Sequence, residues 1–168
     1  MQAGLAFPNK DQDDLLDIHS CYLRLLTLIE RLHRQLLEVI KDELERESLD
    51  DINAVQALLL YNIGDAELTA GELRTRGHYL GSNVSYNLKK LVDTGYISHK
   101  RSDADRRSVR VSLTDKGFEI REIIGGLFER HLNSVEKVGD VHAEMMDTTN
   151  TTLERLERFW ADQIRFQL

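Results

Sequence analysis

Ser82, Asn83, Ser85 and Tyr86 set hydroxyl, amide and phenol groups within five residues, and Lys89 and Lys90 follow on the same stretch. Groups of the first kind exchange hydrogen bonds with base edges, and ammonium groups neutralise phosphates. Further on, Arg106 and Arg107 add two guanidinium groups beside Asp103 and Asp105. These residue types point to recognition of duplex DNA rather than to the making of bonds. The groups that catalysis needs are not assembled. Six histidines (His19, His33, His78, His99, His131 and His142) share no ligand spacing, and neither a GxGxxG nor a phosphate-loop pattern occurs. The one cysteine, Cys21, forms neither an internal disulfide nor a zinc site by itself. No enzyme, cofactor or metal site is expected.

The charge distribution supports this reading once it is divided. Between Arg74 and Arg110 nine basic residues (Arg74, Arg76, Lys89, Lys90, Lys100, Arg101, Arg106, Arg107 and Arg110) face three acids, a net +6. The whole chain carries −7, which leaves −13 for the remainder. A basic face on an acidic body steers one side of a molecule onto phosphates and holds the other side away.

The elements that must position these groups follow from periodicity. From Asp13 to about Glu45, Leu and Ile recur at three- and four-residue spacing, predicting one long helix. Leu16, Leu23, Leu28 and Leu37 fall between the main apolar rows, so this helix is apolar on more than one side and needs more than one neighbour. A second helix, capped by Asp50 or Asp51, carries Ile52, Val55, Leu58, Leu59 and Tyr61 and stops near Gly64. Thr69-Ala-Gly-Glu72 has the form of a capping box opening a short helix over about 70–76, which Gly77 ends. A further helix is predicted over Ser82–Thr94 with Gly95 at its C-cap.

Past Gly95 the apolar period changes from helical to alternating. Ile97, His99 and Arg101 alternate with Ser98 and Lys100, and Val109, Val111 and Leu113 alternate with Arg110 and Ser112. This predicts a hairpin with its tip at 103–107. Thr114-Asp-Lys-Gly117 opens a helix that Gly139 and Asp140 break, and a last helix holds Val141, Met145, Leu153, Leu156, Phe159, Trp160 and Ile164. On a helical wheel Leu88, Leu91 and Val92 fall within roughly 80° of Val84, leaving Ser82, Tyr86, Lys89 and Lys90 on the far side. Helix, turn, helix and basic hairpin in this order are a winged helix-turn-helix, whose second helix enters the major groove. Arg106 and Arg107 either reach the adjacent minor groove or serve as ordinary turn residues.

Glu72-Leu73, Ser82-Asn-Val84-Ser85, Leu88, Leu91, Gly95-Tyr-Ile97, Asp105-Arg106-Arg107 and Val109-Arg-Val111-Ser-Leu113-Thr114-Asp-Lys-Gly117 resemble the MarR family of transcriptional regulators. The resemblance spans about residues 15–165. It implies a homodimer with interlocked N- and C-terminal helices, two winged helices on a palindrome, and a small-molecule or oxidant pocket between the dimer helices and the DNA-binding lobe. Gly81 is unusual at its position for that family, so a base preference is not carried over.

The fold expected is mainly α with a small β-hairpin wing, in three parts: an N-terminal dimerisation helix (1–48), a DNA-binding lobe (49–113) and C-terminal dimerisation helices (114–168). The expected partners are double-stranded DNA, a second copy of the chain and a small-molecule effector, with no membrane. Cys21, Arg24, Thr27 and Tyr61 are the candidate pocket residues. Cys21 is either an oxidant-sensing thiol or a small buried hydrophobe. No 18-residue apolar run and no signal-peptide pattern occur, so a cytoplasmic location is expected. A winged helix that binds protein in place of DNA is the alternative of another class.

Overall fold

The computed structural model describes residues 17–65, 67–69, 72, 81–101 and 109–166. Five helices and three strands occur among them: α1 (Ile18–Arg46), α2 (Ala54–Ile63), β1 (Leu68–Thr69), α3 (Gly81–Asp93), β2 (Ile97–Arg101), β3 (Val109–Leu113), α4 (Asp115–Gly139) and α5 (Ala143–Phe166). The expected helix over 70–76 and the hairpin tip at 103–107 lie outside the described residues.

Helix boundaries follow local hydrogen-bond chemistry. The first helix was expected from Asp13, but its cap is Asp17, whose carboxylate accepts from the His19 and Ser20 amides. Those bonds, led by the Ser20 hydroxyl, hold the Asp17 carboxyl below its ordinary pKa. The second helix is capped by Asn53 and not by Asp50 or Asp51. Asn53 Oδ1 accepts from the Gln56 amide at 2.9 Å while Gln56 Oε1 accepts from the Asn53 amide at 3.2 Å. Asn53-Ala-Val-Gln56 is a capping box with an amide in place of the usual hydroxyl. Asp51 is engaged elsewhere. The Thr69–Glu72 box forms as expected, with reciprocal bonds of 2.7 and 3.1 Å. Val141 precedes the last helix instead of belonging to it. Asp140, in the left-handed region at φ 53°, closes α4.

The wing is part of a three-stranded antiparallel sheet of order β1-β3-β2, where a two-stranded hairpin was expected. Leu68 pairs with Val111 and Thr69 with Arg110, which gives β3 a partner on each side. Ile97 lies opposite Leu113 and His99 opposite Val111. The expected alternation holds on β3, where Val111 and Leu113 are buried and Arg110 is exposed. It fails on β2 after Ile97: His99 is exposed on this edge strand although Val111, opposite it on the central strand, is buried.

One core joins Ile40 and Leu44 of α1, Leu59, Leu60 and Ile63 of α2, Leu88 and Leu91 of α3, the sheet residues Leu68, Ile97, Val111 and Leu113, and Ile120, Ile124 and Leu127 of α4. It therefore draws side chains from either side of the 49–113 segment. Glu43 is buried among these apolar groups and is paired with Arg46 and Arg130. Outside this core the terminal helices are bare. No residue of α5 is buried. An apolar groove of about 670 Å³ runs between α1 and α5, lined by Ile29, Leu32, Leu153, Leu156, Trp160 and Ile164. Trp160 Nε1 donates to the Tyr22 hydroxyl at 3.2 Å across it. No helix among the described residues is long and apolar enough to cross a membrane.

Candidate nucleic-acid interface

The α3 helix forms because its two faces have separate uses. Leu91 is fully buried and Leu88 nearly so, and together they seat the helix on the core. Gln56 Nε2 donates to Asn87 Oδ1 at 3.2 Å, which ties the helix to α2. On the opposite face Ser85, Tyr86, Lys89 and Lys90 are exposed, Tyr86 to 70 %. Ser82 and Asn83 lie in the first turn of α3, with their side chains outside the described part. Arg106 and Arg107 lie outside it altogether, as do Arg74 and Arg76.

The C-terminal end of α3 is closed by glycine chemistry. Gly95 has φ +79°, its amide donates to the Val92 carbonyl at 3.0 Å, and the Tyr96 amide donates to the Leu91 carbonyl at 2.9 Å. This is a Schellman motif, in which a left-handed residue lets two orphan carbonyls find donors. The chain then turns directly into β2, which fixes the sheet against the helix.

A polar cluster missed by the sequence reading braces this turn. Tyr96 is completely buried, and its hydroxyl donates to Asp51 Oδ1 at 2.6 Å. Lys116 Nζ donates to Asp51 Oδ2 at 2.7 Å and to the Thr94 carbonyl at 3.2 Å, and lies 4.0 Å from the centre of the Tyr96 ring. The hydrogen bond from Lys116, followed by that from Tyr96, keeps the Asp51 carboxyl below its ordinary pKa. Burial, then the bond to Asp51, pushes the Tyr96 phenol up. The same bond to Asp51 raises Lys116. These residues lie 45 and 20 positions apart in the chain, so no local pattern joins them.

The candidate pocket residues are not brought together within the chain. Cys21 is exposed in the single chain. Arg24 and Thr27 are exposed too, and the Thr27 hydroxyl is turned back to the Leu23 carbonyl at 3.0 Å. Tyr61 packs edge-on against Phe128 of α4, ring centres 5.0 Å apart. The α1 helix meets the core at Ile40, 19 residues past Cys21, which is about 28 Å along the axis at 1.5 Å per residue. Among the described residues no group of three or more His, Cys, Asp or Glu is placed to hold a metal ion.

Comparison with known proteins agrees with this geometry. The MarR family model matches residues 50–108, which contain α2, α3 and the strand β2. The chain is 39 % identical over 171 residues to the exopolysaccharide II synthesis transcriptional activator ExpG of Rhizobium meliloti, covering 97 % of this chain and 83 % of that protein. Among solved structures, a mutant MarR from E. coli complexed with operator DNA is similar with a TM-score of 0.66 and 25 % identity, over 83 % of this chain and 98 % of that one. FabT of Streptococcus pneumoniae in complex with DNA is similar at 0.63 and 26 %, over 84 % and 98 %. A Staphylococcus aureus MarR solved with salicylate and kanamycin has the same fold at a TM-score of 0.69 and 20 % identity, over 86 % and 95 %. With a family match centred on the winged helix and a relative aligned over nearly its whole length, the chain belongs to the MarR family of transcriptional regulators.

Proposed function

We propose that the chain binds a palindromic duplex operator as a homodimer, with α3 in the major groove and the wing beside it. The observation that carries this is the outward face of α3. Exposed Tyr86 and Ser85 stand with Lys89 and Lys90 on a helix whose other side is seated by buried Leu88 and Leu91. In this reading Ser82, Asn83, Ser85 and Tyr86 contact base edges, Lys89 and Lys90 hold phosphates, and Arg106 and Arg107 reach into the minor groove. The similar E. coli and Streptococcus pneumoniae proteins were solved on DNA, which supports the same use here. The first 48 residues and those from 114 onward serve dimerisation, and 49–113 is the DNA-binding lobe. The exposed apolar rows of α1 and α5 support that division. Modulation by an aromatic acid belongs to the same proposal.

Selection of bound duplexes from a random pool tests it. The expected product is an imperfect palindrome with half-sites centred about one helical turn, ~10 bp, apart. A pool left unenriched, with the protein retaining a polypeptide partner instead, would make this a protein-interaction module. Adding salicylate to the selected complex, and organic peroxide to native protein and Cys21→Ser, separates ligand release from oxidation at Cys21.

A further inference from the structure

We propose that Tyr96, Lys116 and Asp51 are positioning residues for DNA recognition: they clamp the end of α3 to the first turn of α4, so that α4 sets the angle at which α3 is presented. This inference rests on the base-reading role given to α3 above.

The clamp grips main chain. Three consecutive carbonyls at the end of α3 each accept a bond from residues at the start of α4. The Thr94 carbonyl accepts from Lys116 Nζ at 3.2 Å, the Gly95 carbonyl from the Thr114 hydroxyl at 2.7 Å, and the Tyr96 carbonyl from the Thr114 amide at 3.1 Å. A cation beside the C-terminal carbonyls of a helix is also favourably placed against its dipole. The joint has no slack, because a Cβ at Gly117 would collide with the Tyr96 carbonyl oxygen. Asp51 completes it from a third element by accepting from both the Tyr96 hydroxyl and the Lys116 ammonium.

Leverage gives the clamp its effect on recognition. Tyr86 stands seven residues before the end of α3 at Asp93, about 10 Å along the axis, so a tilt of roughly 5° at the clamp moves it by about 1 Å. A bidentate base contact does not survive such a shift, whereas a lysine ammonium on a flexible stem follows its phosphate. Loosening the clamp therefore reduces discrimination between sequences more than it reduces attraction to DNA.

The experiment compares Tyr96→Phe and Lys116→Met with the native protein on its selected operator and on an unrelated duplex across a salt series. Tyr96→Phe keeps the ring and the net charge. The expected result is a folded dimer by circular dichroism and sedimentation, an operator affinity about tenfold weaker, unrelated-duplex affinity within twofold of native, and an unchanged salt slope. Lys116→Met is expected to behave alike, with partial recovery in Lys116→Arg. If Tyr96→Phe does not fold, Asp51→Asn removes charge from the same cluster at a half-exposed side chain and is read in the same way. A lowered Tm with native operator affinity would overturn the proposal by making the clamp merely structural. A Lys116→Met variant that loses both affinities equally, with a slope shallower by about one, would make Lys116 a phosphate contact instead. Native protein that selects no duplex would sink the DNA reading, and this inference with it; native binding with unaffected variants would sink the inference alone.

Discussion

The winged lobe and the terminal helices solve the problem of apolar surface in opposite ways. Within the lobe Leu60 and Leu91 have no exposure at all, and every strand contributes to one continuous core. At the chain ends Ile18 is 81 % exposed and Ile164 79 %, and no residue of α5 is fully buried. Amphipathic helices occur in both regions, α3 in the lobe and α5 at the end, although α2 is apolar on nearly every side. The difference is whether the partner surface lies in the same chain. The core around the lobe is closed within the chain by Ile40, Leu44, Ile120, Ile124 and Leu127, while the ends leave apolar rows uncovered, as the proposed dimer requires. Exposed apolar area of this extent is costly in water and marks an interaction surface.

The largest effect expected from this contrast comes from removing α5 by ending the chain at Val141. The bare row of α1 would then lose both Trp160 and its proposed second copy. Aggregation or unfolding is expected, read by sedimentation and circular dichroism, because an obligate dimer has no stable folded monomer. A soluble, folded monomer would break the comparison by showing that the ends are dispensable.

Inside the core, the buried Glu43 of α1 gives a smaller effect with a definite asymmetry. Arg130→Ala withdraws one of its two cations and leaves a carboxylate that is 4 % exposed poorly compensated. A loss of about 1–3 kcal/mol is expected by urea unfolding. Glu43→Leu should cost less, since both arginines are more than half exposed and stay solvated. Equal losses would mean that the pair, and not the buried charge, sets the stability.

How much of this was legible in the sequence depends on distance along the chain. Periodicity and caps located α3, the Gly95 turn and the Thr114 cap, because each is written within a few residues. The outward positions of Tyr86, Lys89 and Lys90 followed from the same 100° step, which puts Ser85 at the flank. What escaped was non-local or too short. Strand β1 has two residues, too few to alternate, and it exists only through its bonds to β3. Asp51 looked like a helix cap because nothing nearby indicated that Tyr96 and Lys116 would claim it. The pocket grouping is not met within one chain, because Cys21 lies about 28 Å along α1 before Ile40, where that helix joins the core beside α2.

The Asp51 cluster predicts a flat pH response with defined ends. A depressed folded pKa means that the Asp51 contribution is present above the unfolded value near 3.8 and lost as pH falls through the folded one. Lys116 and Tyr96 are raised, so theirs are present below their ordinary values of 10.5 and 10.0 and lost as pH rises through the folded ones. The stability gap between native protein and Asp51→Asn should hold constant from about pH 5 to 9 and close in acid. A gap that changed near pH 7 would implicate a histidine and contradict this assignment.

The smallest effect concerns Gly126 in the middle of α4. A Cβ there would meet only the flexible end of Arg130 at 3.5 Å. Gly126→Ala should therefore raise stability by roughly 0.5–1 kcal/mol, seen as a higher urea midpoint at unchanged slope. Destabilisation would show that the second copy packs against this glycine, which would sharpen the boundary between lobe and interface.

The division of labour on α3 itself tests the account most directly. Affinity for the selected operator and for an unrelated duplex should be measured from 50 to 200 mM salt (orders of magnitude set by counterion release, roughly 10³–10⁵ for six to ten phosphates). The measurement is made on native protein, Tyr86→Ala and Lys90→Ala. The account predicts a steep salt dependence for native protein, and a loss of about 1–3 kcal/mol confined to the operator for Tyr86→Ala. For Lys90→Ala it predicts a uniform loss on both duplexes with a slope shallower by about one. Affinity indifferent to salt, or two variants that cannot be told apart, would contradict it.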